Sequence, residues 1–157
     1  MKRKNIIQKF ILFFLIIFIL GACGKDDTVS APYGSIIIVQ PGTTAVNDGT
    51  LTTTWSDQYY TITVLDGNSN PMNNVEIFID FIWAIPDTAG LAQLYSGNKE
   101  SGYTAVNAPM VATTDSSGNY HLRVDFSHGG GLKYSGTIRV ISAGAIHGAA
   151  EFSVTAS

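Results

Sequence analysis

The most reactive side chain in this 157-residue chain is the thiol of Cys23, its only cysteine. A thiolate can act as a nucleophile or a metal ligand, but metal binding and disulfide formation both need further partners. The chain offers no second cysteine, and its three histidines are not at metal-ligand spacing: His121, His128 and His147. Cys23 is therefore expected to react alone or to have no chemical role.

Other polar and aromatic residues give no catalytic arrangement. The loop "SHGGG" has the letters of an oxyanion loop, but the chain lacks the G-x-S-x-G motif that accompanies it in α/β-hydrolases. Trp55 is a candidate for stacking on a sugar, whereas Trp83 lies on an apolar strand face and is expected in the core. We predict no enzyme activity, no metal site and no cofactor other than a covalent lipid.

The position of Cys23 suggests where that lipid attaches. Lys2, Arg3, Lys4 and Lys9 precede an apolar run of 11 residues, 10–20, which is shorter than the roughly 20 needed to span a bilayer. This pattern is typical of a secretory signal peptide rather than a transmembrane helix.

The four residues that follow, Leu20-Gly21-Ala22-Cys23, resemble the lipobox of bacterial lipoproteins. The resemblance implies that residues 1–22 are removed and that the thiol of Cys23 is lipidated, anchoring the protein in a membrane. The alternative is an ordinary signal peptide with a chance cysteine. Gly24 favours the outer membrane under the sorting pattern of enteric bacteria. We expect residues 23–33 to form a flexible tether containing Pro32.

The charge of the mature chain excludes one class of partner. Four of the nine basic residues lie within 1–22, which leaves five against twelve acidic residues and a formal charge of −7. Nucleic-acid binding requires basic patches that neutralise phosphates. We therefore predict no nucleic-acid partner.

Residues 34–157 show the two-residue periodicity of β-strands and no long helical period. Dense turn signals, such as "DGNSNPMNN" and "DSSGN", separate the apolar runs. This pattern predicts an all-β fold, an immunoglobulin-like antiparallel β-sandwich of about seven strands. The strand runs are 35–40, 59–65, 75–83, 111–114, 119–126, 133–142 and 149–156.

The order of turns and strands resembles bacterial immunoglobulin-like domains of the invasin/intimin type. The matching positions are Asp66, Asn70, Pro71, Val75, Thr114, Asp115 and Gly118. A transthyretin-like sandwich is the second resemblance, through "TDSSGNY". From the residues themselves, Asp66, Asn68, Asn70 and Asp115 either cap turns or, if their loops meet, bind calcium.

Residues 84–110 form an unusually long connection between two predicted strands. The stretch 89–95 within it is the one possible helical turn. The segment is either an extra hairpin on the flank of the domain or a partner-binding surface. In the second case Leu94, Tyr95 and Tyr103 are the candidate contact residues, because aromatic side chains commonly anchor interfaces.

These features predict a surface lipoprotein of the bacterial cell envelope with a non-enzymatic binding or structural role. The first hypothesis is an accessory subunit of an envelope or extracellular assembly, held to the membrane by its lipid and bound to another envelope or surface protein. Adhesion to host or neighbouring cells and carbohydrate binding are the alternatives.

Overall fold

The computed structural model of the chain describes residues 28–47, 55–85, 88, 90–128, 131–145 and 147–155. The predicted signal peptide and Cys23 lie outside these ranges. Within them, no helix is long and apolar enough to cross a membrane. The described residues form ten strands: β1 Ile36–Gln40, β2 Thr43–Asn47, β3 Trp55–Leu65, β4 Glu76–Trp83, β5 Ala92–Asn98, β6 Gly102–Val106, β7 Met110–Thr113, β8 Asn119–Ser127, β9 Tyr134–Ile141 and β10 Gly148–Thr155.

The strands form a sandwich of two five-stranded sheets. The first sheet has the order β1-β3-β8-β5-β6, and the second has the order β2-β10-β9-β4-β7. All neighbours are antiparallel except β2 and β10, which are parallel. The predicted immunoglobulin-like sandwich is confirmed. Its strand number is ten rather than about seven, chiefly because the long connection folds into β5 and β6.

The core lies between the two sheets and is built from alternate residues of each strand. Ile62, Val64, Ile77 and Ile79 are completely buried. Phe152 on β10 lies at the centre of an aromatic group, with its ring centroid 4.9 Å from that of Phe126 and 5.6 Å from that of Trp83. The expectation that Trp83 packs with the core is confirmed.

The segment just before β1 belongs to the folded domain. The Val29 N–H donates to the carbonyl of Asn74, and the Val29 carbonyl accepts from the Glu76 N–H, both at 2.9 Å. Ala31 is buried, and its N–H donates to Ser142 Oγ at 3.2 Å. The predicted flexible tether over residues 23–33 is therefore wrong for residues 29–31, because Val29 and Ala31 are held to the sandwich by backbone hydrogen bonds.

The possible helical turn over residues 89–95 is wrong for residues 92–95, because β5 begins at Ala92. Ala92 and Leu94 alternate into the core, and β5 pairs with β8 from Ala92 opposite Phe126 to Tyr95 opposite Arg123. Ala and Leu favour helices in isolation, but pairing with a buried strand outweighs that preference here. The connection contains the extra hairpin, β5–β6, that the sequence left open.

The turn before β4 and the turn before β8 are joined through Thr114. The buried Thr114 hydroxyl accepts from the Val75 N–H at 2.9 Å and donates to the Met72 carbonyl at 2.8 Å. Beside it, the Gly118 carbonyl accepts from the Val64 N–H at 3.0 Å. Gly118 has φ +73°, and a Cβ there would lie 2.7 Å from the Pro71 Cβ. These contacts fix where β4 and β8 begin.

We expect Thr114→Val to lower the free energy of unfolding by about 1–3 kcal/mol, because it leaves a buried N–H and carbonyl without their partner. Chemical denaturation monitored by fluorescence measures this change. Thr113→Val is the matched control, since the adjacent threonine lies outside this hydrogen-bonded group. Equal effects of the two substitutions would contradict a special role for Thr114.

Candidate partner-binding surface

The outward face of the first sheet carries a group of tyrosines around one arginine. In β3, β8 and β5 the register places Tyr59, Arg123 and Tyr95 side by side across three strands. Tyr103 on β6 lies opposite Gly97 of β5 and faces the same side. We call Tyr59, Tyr95, Tyr103 and Arg123 the tyrosine–arginine patch.

Arg123 is the centre of the patch. Its guanidinium carbon lies 4.7 Å from the ring centroid of Tyr95 and 5.4 Å from that of Tyr103, within the range of cation–π attraction. The ring centroids of Tyr59 and Tyr103 are 6.0 Å apart. The guanidinium also donates from Nε and Nη2 to the two carboxylate oxygens of Asp125, each at 2.8 Å. This two-point pairing fixes the arginine plane between the rings.

The electrostatics keep the arginine charged and two of the tyrosines neutral. The hydrogen bond to Asp125 raises the pKa of Arg123 above its usual value. The pKa of Tyr59 is raised mainly because its hydroxyl donates to Asp57 Oδ2 at 2.8 Å, and the pKa of Tyr95 is raised mainly by burial. Tyr59 and Tyr95 therefore present neutral phenols at neutral pH, beside a cation whose charge is balanced by Asp125.

The structure brings together two of the three predicted contact residues. Tyr95 and Tyr103 both belong to the patch, whereas Leu94 points inward and is only 1% exposed. Leu94 is therefore a core residue, because it alternates with Tyr95 along β5. Tyr59 and Arg123 were not predicted as contact residues. Their signal in the sequence is alternation, since Tyr60, Leu122 and Val124 are apolar and direct their neighbours outward.

The acidic turn residues act as turn caps, as one of the two interpretations predicted. Asp66 Oδ1 accepts from the N–H groups of Asn68 and Asn70, both at 2.8 Å. These bonds, with that of Asn70 first, lower the pKa of Asp66. Asp115 Oδ1 accepts from the N–H groups of Ser117 and Asn119 at 2.8 and 3.0 Å. Over the ranges the structure describes, no three His, Cys, Asp or Glu side chains are grouped to hold a metal.

Trp55, the sugar-stacking candidate, lies at the start of β3 and is 44% exposed. It is four residues from Tyr59 and therefore shares its face of the strand. Asp57 lies between them on that face. The structure thus places the candidate tryptophan beside the patch rather than on the opposite sheet.

No protein-family model and no curated protein matches the chain. Solved structures of similar architecture include WR4, an MSP family member of C. elegans, with 14% identity, a TM-score of 0.41 and coverage of 78% of this chain and 98% of that chain. The PapD-like domain 7 of human CEP192 has 7% identity, a TM-score of 0.42 and coverage of 87% and 94%. A conjugative transposon lipoprotein from Bacteroides eggerthii has 10% identity, a TM-score of 0.44 and coverage of 78% and 97%. At these values none of them identifies a family or a function for this chain.

We expect Arg123→Ala to lower the free energy of unfolding by about 1–3 kcal/mol, because it leaves the buried carboxylate of Asp125 without its charged partner. Arg139→Ala is the matched control, since Arg139 forms a cross-strand ion pair with Asp80 whose side chains are more exposed. That substitution is expected to cost at most about 1 kcal/mol. Urea unfolding of both variants makes the comparison, and an equal loss would show that the patch is not held by Arg123.

Proposed function

We propose that this protein is a lipid-anchored accessory subunit of a bacterial envelope or extracellular assembly and that it works by binding, without catalysis. The observation that carries the proposal is the tyrosine–arginine patch. Tyrosine and arginine are among the residues that contribute most to the energy of protein interfaces. In this domain they are gathered on one sheet face.

The geometry of the patch supports binding for a second reason. The ion pair with Asp125 and the stacking against Tyr95 already restrain Arg123 in the free protein. A partner therefore meets side chains that lose little conformational freedom on binding, which favours affinity. Tyr59 remains accessible at the rim, with 54% of its surface exposed.

The length of chain between lipid and domain bears on which kind of partner fits. Val29 and Ala31 are bonded to the sandwich, so only residues 24–28 separate the proposed anchor at Cys23 from the first bonded residue. At about 3.5 Å per residue, the chain from Cys23 to Val29 spans at most about 21 Å. Such a short reach supports a partner that is itself held near the membrane, and it weighs against adhesion to a distant cell.

Carbohydrate binding is the second candidate, and Trp55 is the observation that favours it. Trp55, Asp57 and Tyr59 lie along one face of β3, so that aromatic rings flank a carboxylate. Aromatic rings can stack on sugar faces while a carboxylate accepts from sugar hydroxyls. This candidate uses the same sheet face and differs from the first in the class of molecule that contacts it.

The proposed anchor makes a prediction about Cys23. We expect Cys23→Ala to prevent lipidation, so that the protein appears as an unprocessed precursor or leaves the membrane fraction. Metabolic labelling with a fatty-acid analogue, followed by fractionation, measures both effects. Processing and sorting like the wild type would show that Cys23 is not the anchor.

The patch makes a separate prediction about contacts in living cells. A photo-crosslinking amino acid at position 103 should yield one discrete protein adduct, because Tyr103 lies within the proposed interface. The same amino acid at position 111 is the control, since Val111 is 56% exposed on the opposite sheet. Glycan adducts at position 103 would favour the second candidate. Identical adducts at both positions, or lipid alone, would contradict a binding role for the patch.

A further inference from the structure

One side of the sandwich has an opening between the sheets. β7 pairs with β4 only from Glu76 to Ile79, and β6 pairs with β5 only from Leu94 onward. Beyond these points the described strands leave one edge of residues 80–83 in β4 and one edge of residues 92–93 in β5 without a neighbour. We call the space between these two edges the side window.

The side window is a cleft of about 420 Å³ lined by both apolar and polar residues. Phe81 and Trp83 line it from β4, and Ala92 and Leu94 line it from β5. Asp80, Gln93 and residues 106–108 also line it. Beside Phe81, Trp83, Ala92 and Leu94 the cleft offers space for an apolar side chain.

A side chain takes the place of a strand neighbour on the β4 edge, and another binds the point where the pairing of β5 with β6 ends. The Phe81 N–H, which lies on the open edge of β4, donates to Asp80 Oδ1 at 2.6 Å. Across the window, Gln93 Nε2 donates to the carbonyls of Val106 at 2.6 Å and of Leu94 at 3.0 Å. The N–H and carbonyl of Trp83 point to the same edge of β4 as those of Phe81, because alternate residues of a strand share an edge. An open edge that is capped by its own side chains is protected against uncontrolled pairing.

We propose that the open edge of β4 at the side window accepts an extended segment of a partner protein as an added strand. Backbone donors and acceptors along an edge, beside a cleft for alternate side chains, match an extended polypeptide better than a compact ligand. The described residues carry four basic and eight acidic side chains, and this balance favours a segment with basic residues at its ends. The added strand displaces the Asp80 carboxylate from the Phe81 N–H.

This inference does not depend on the tyrosine–arginine patch, which lies on the outward face of the first sheet. The test uses the full chain in detergent micelles and a synthetic peptide, Ac-Lys-Val-Thr-Val-Thr-Val-Lys-NH2. Hydrogen exchange followed by mass spectrometry reports where the peptide protects backbone amides. We expect saturable protection of residues 80–83. The same peptide with N-methyl groups on alternate residues, which removes its edge donors, is expected to give none.

Two substitutions sharpen the test. Asp80→Ala and Arg139→Ala both break the ion pair of 2.7 Å between these residues, but only Asp80→Ala releases the Phe81 N–H. We expect Asp80→Ala to tighten peptide binding about threefold to tenfold, because the freed Phe81 N–H gains one hydrogen bond to the peptide. Arg139→Ala is expected to change binding less than about twofold. Charge alone predicts the opposite order, because Arg139→Ala makes the surface more negative.

Three results would overturn the proposal: protection at β1 or β6 in place of residues 80–83, equal protection by the N-methylated peptide, or binding by Asp80→Ala no tighter than by Arg139→Ala. Exchange in β8 and β10 shows whether each variant is folded. Asp80→Val, whose β-branched side chain suits a strand, is the second variant if Asp80→Ala does not fold. Crosslinking from position 103 is unaffected by any of these outcomes, so the two proposals fail separately.

Discussion

The hydroxyl of Thr114 joins the turn before β4 to the turn before β8, and the arrangement of the outward face follows from it. Its bonds to Val75 and Met72 hold the start of β4. The neighbouring bond from Val64 to Gly118 sets the start of β8 against β3. A shift of one residue would turn every outward side chain of β8 into the core. The contact of Arg123 with its tyrosines therefore depends on the register that these hydrogen bonds set at the start of β8.

Much of the fold could be predicted from residue alternation and turn chemistry. The sandwich, the core position of Trp83 and the capping roles of Asp66 and Asp115 all follow from local patterns. The strand β5 could not be predicted from local patterns, because Ala92 and Leu94 suit either a helix or a buried strand. Docking of residues 29–31 was also missed, since it depends on Ser142, more than a hundred residues away.

The binding surface was predictable only in part, for a related reason. The choice of Tyr95 and Tyr103 came from aromatic residues in a long connection, and that signal does not distinguish the inward Leu94 from its neighbours. Arg123 and Tyr59 join the patch through cross-strand register, which links residues far apart in sequence. The side window likewise arises where β6 and β7 stop pairing, and no local motif marks that point.

The central claim is that the outward face of the first sheet binds a partner at the membrane. Quantitative mass spectrometry of proteins that co-purify with the chain from native membranes tests it most directly, with Tyr59→Ser/Tyr103→Ser compared against wild type. These serines keep strand geometry and hydroxyls while removing both rings. The account predicts that one protein partner is lost from the double variant, whereas membrane attachment is unchanged. Equal recovery of every co-purifying protein from both forms would contradict it.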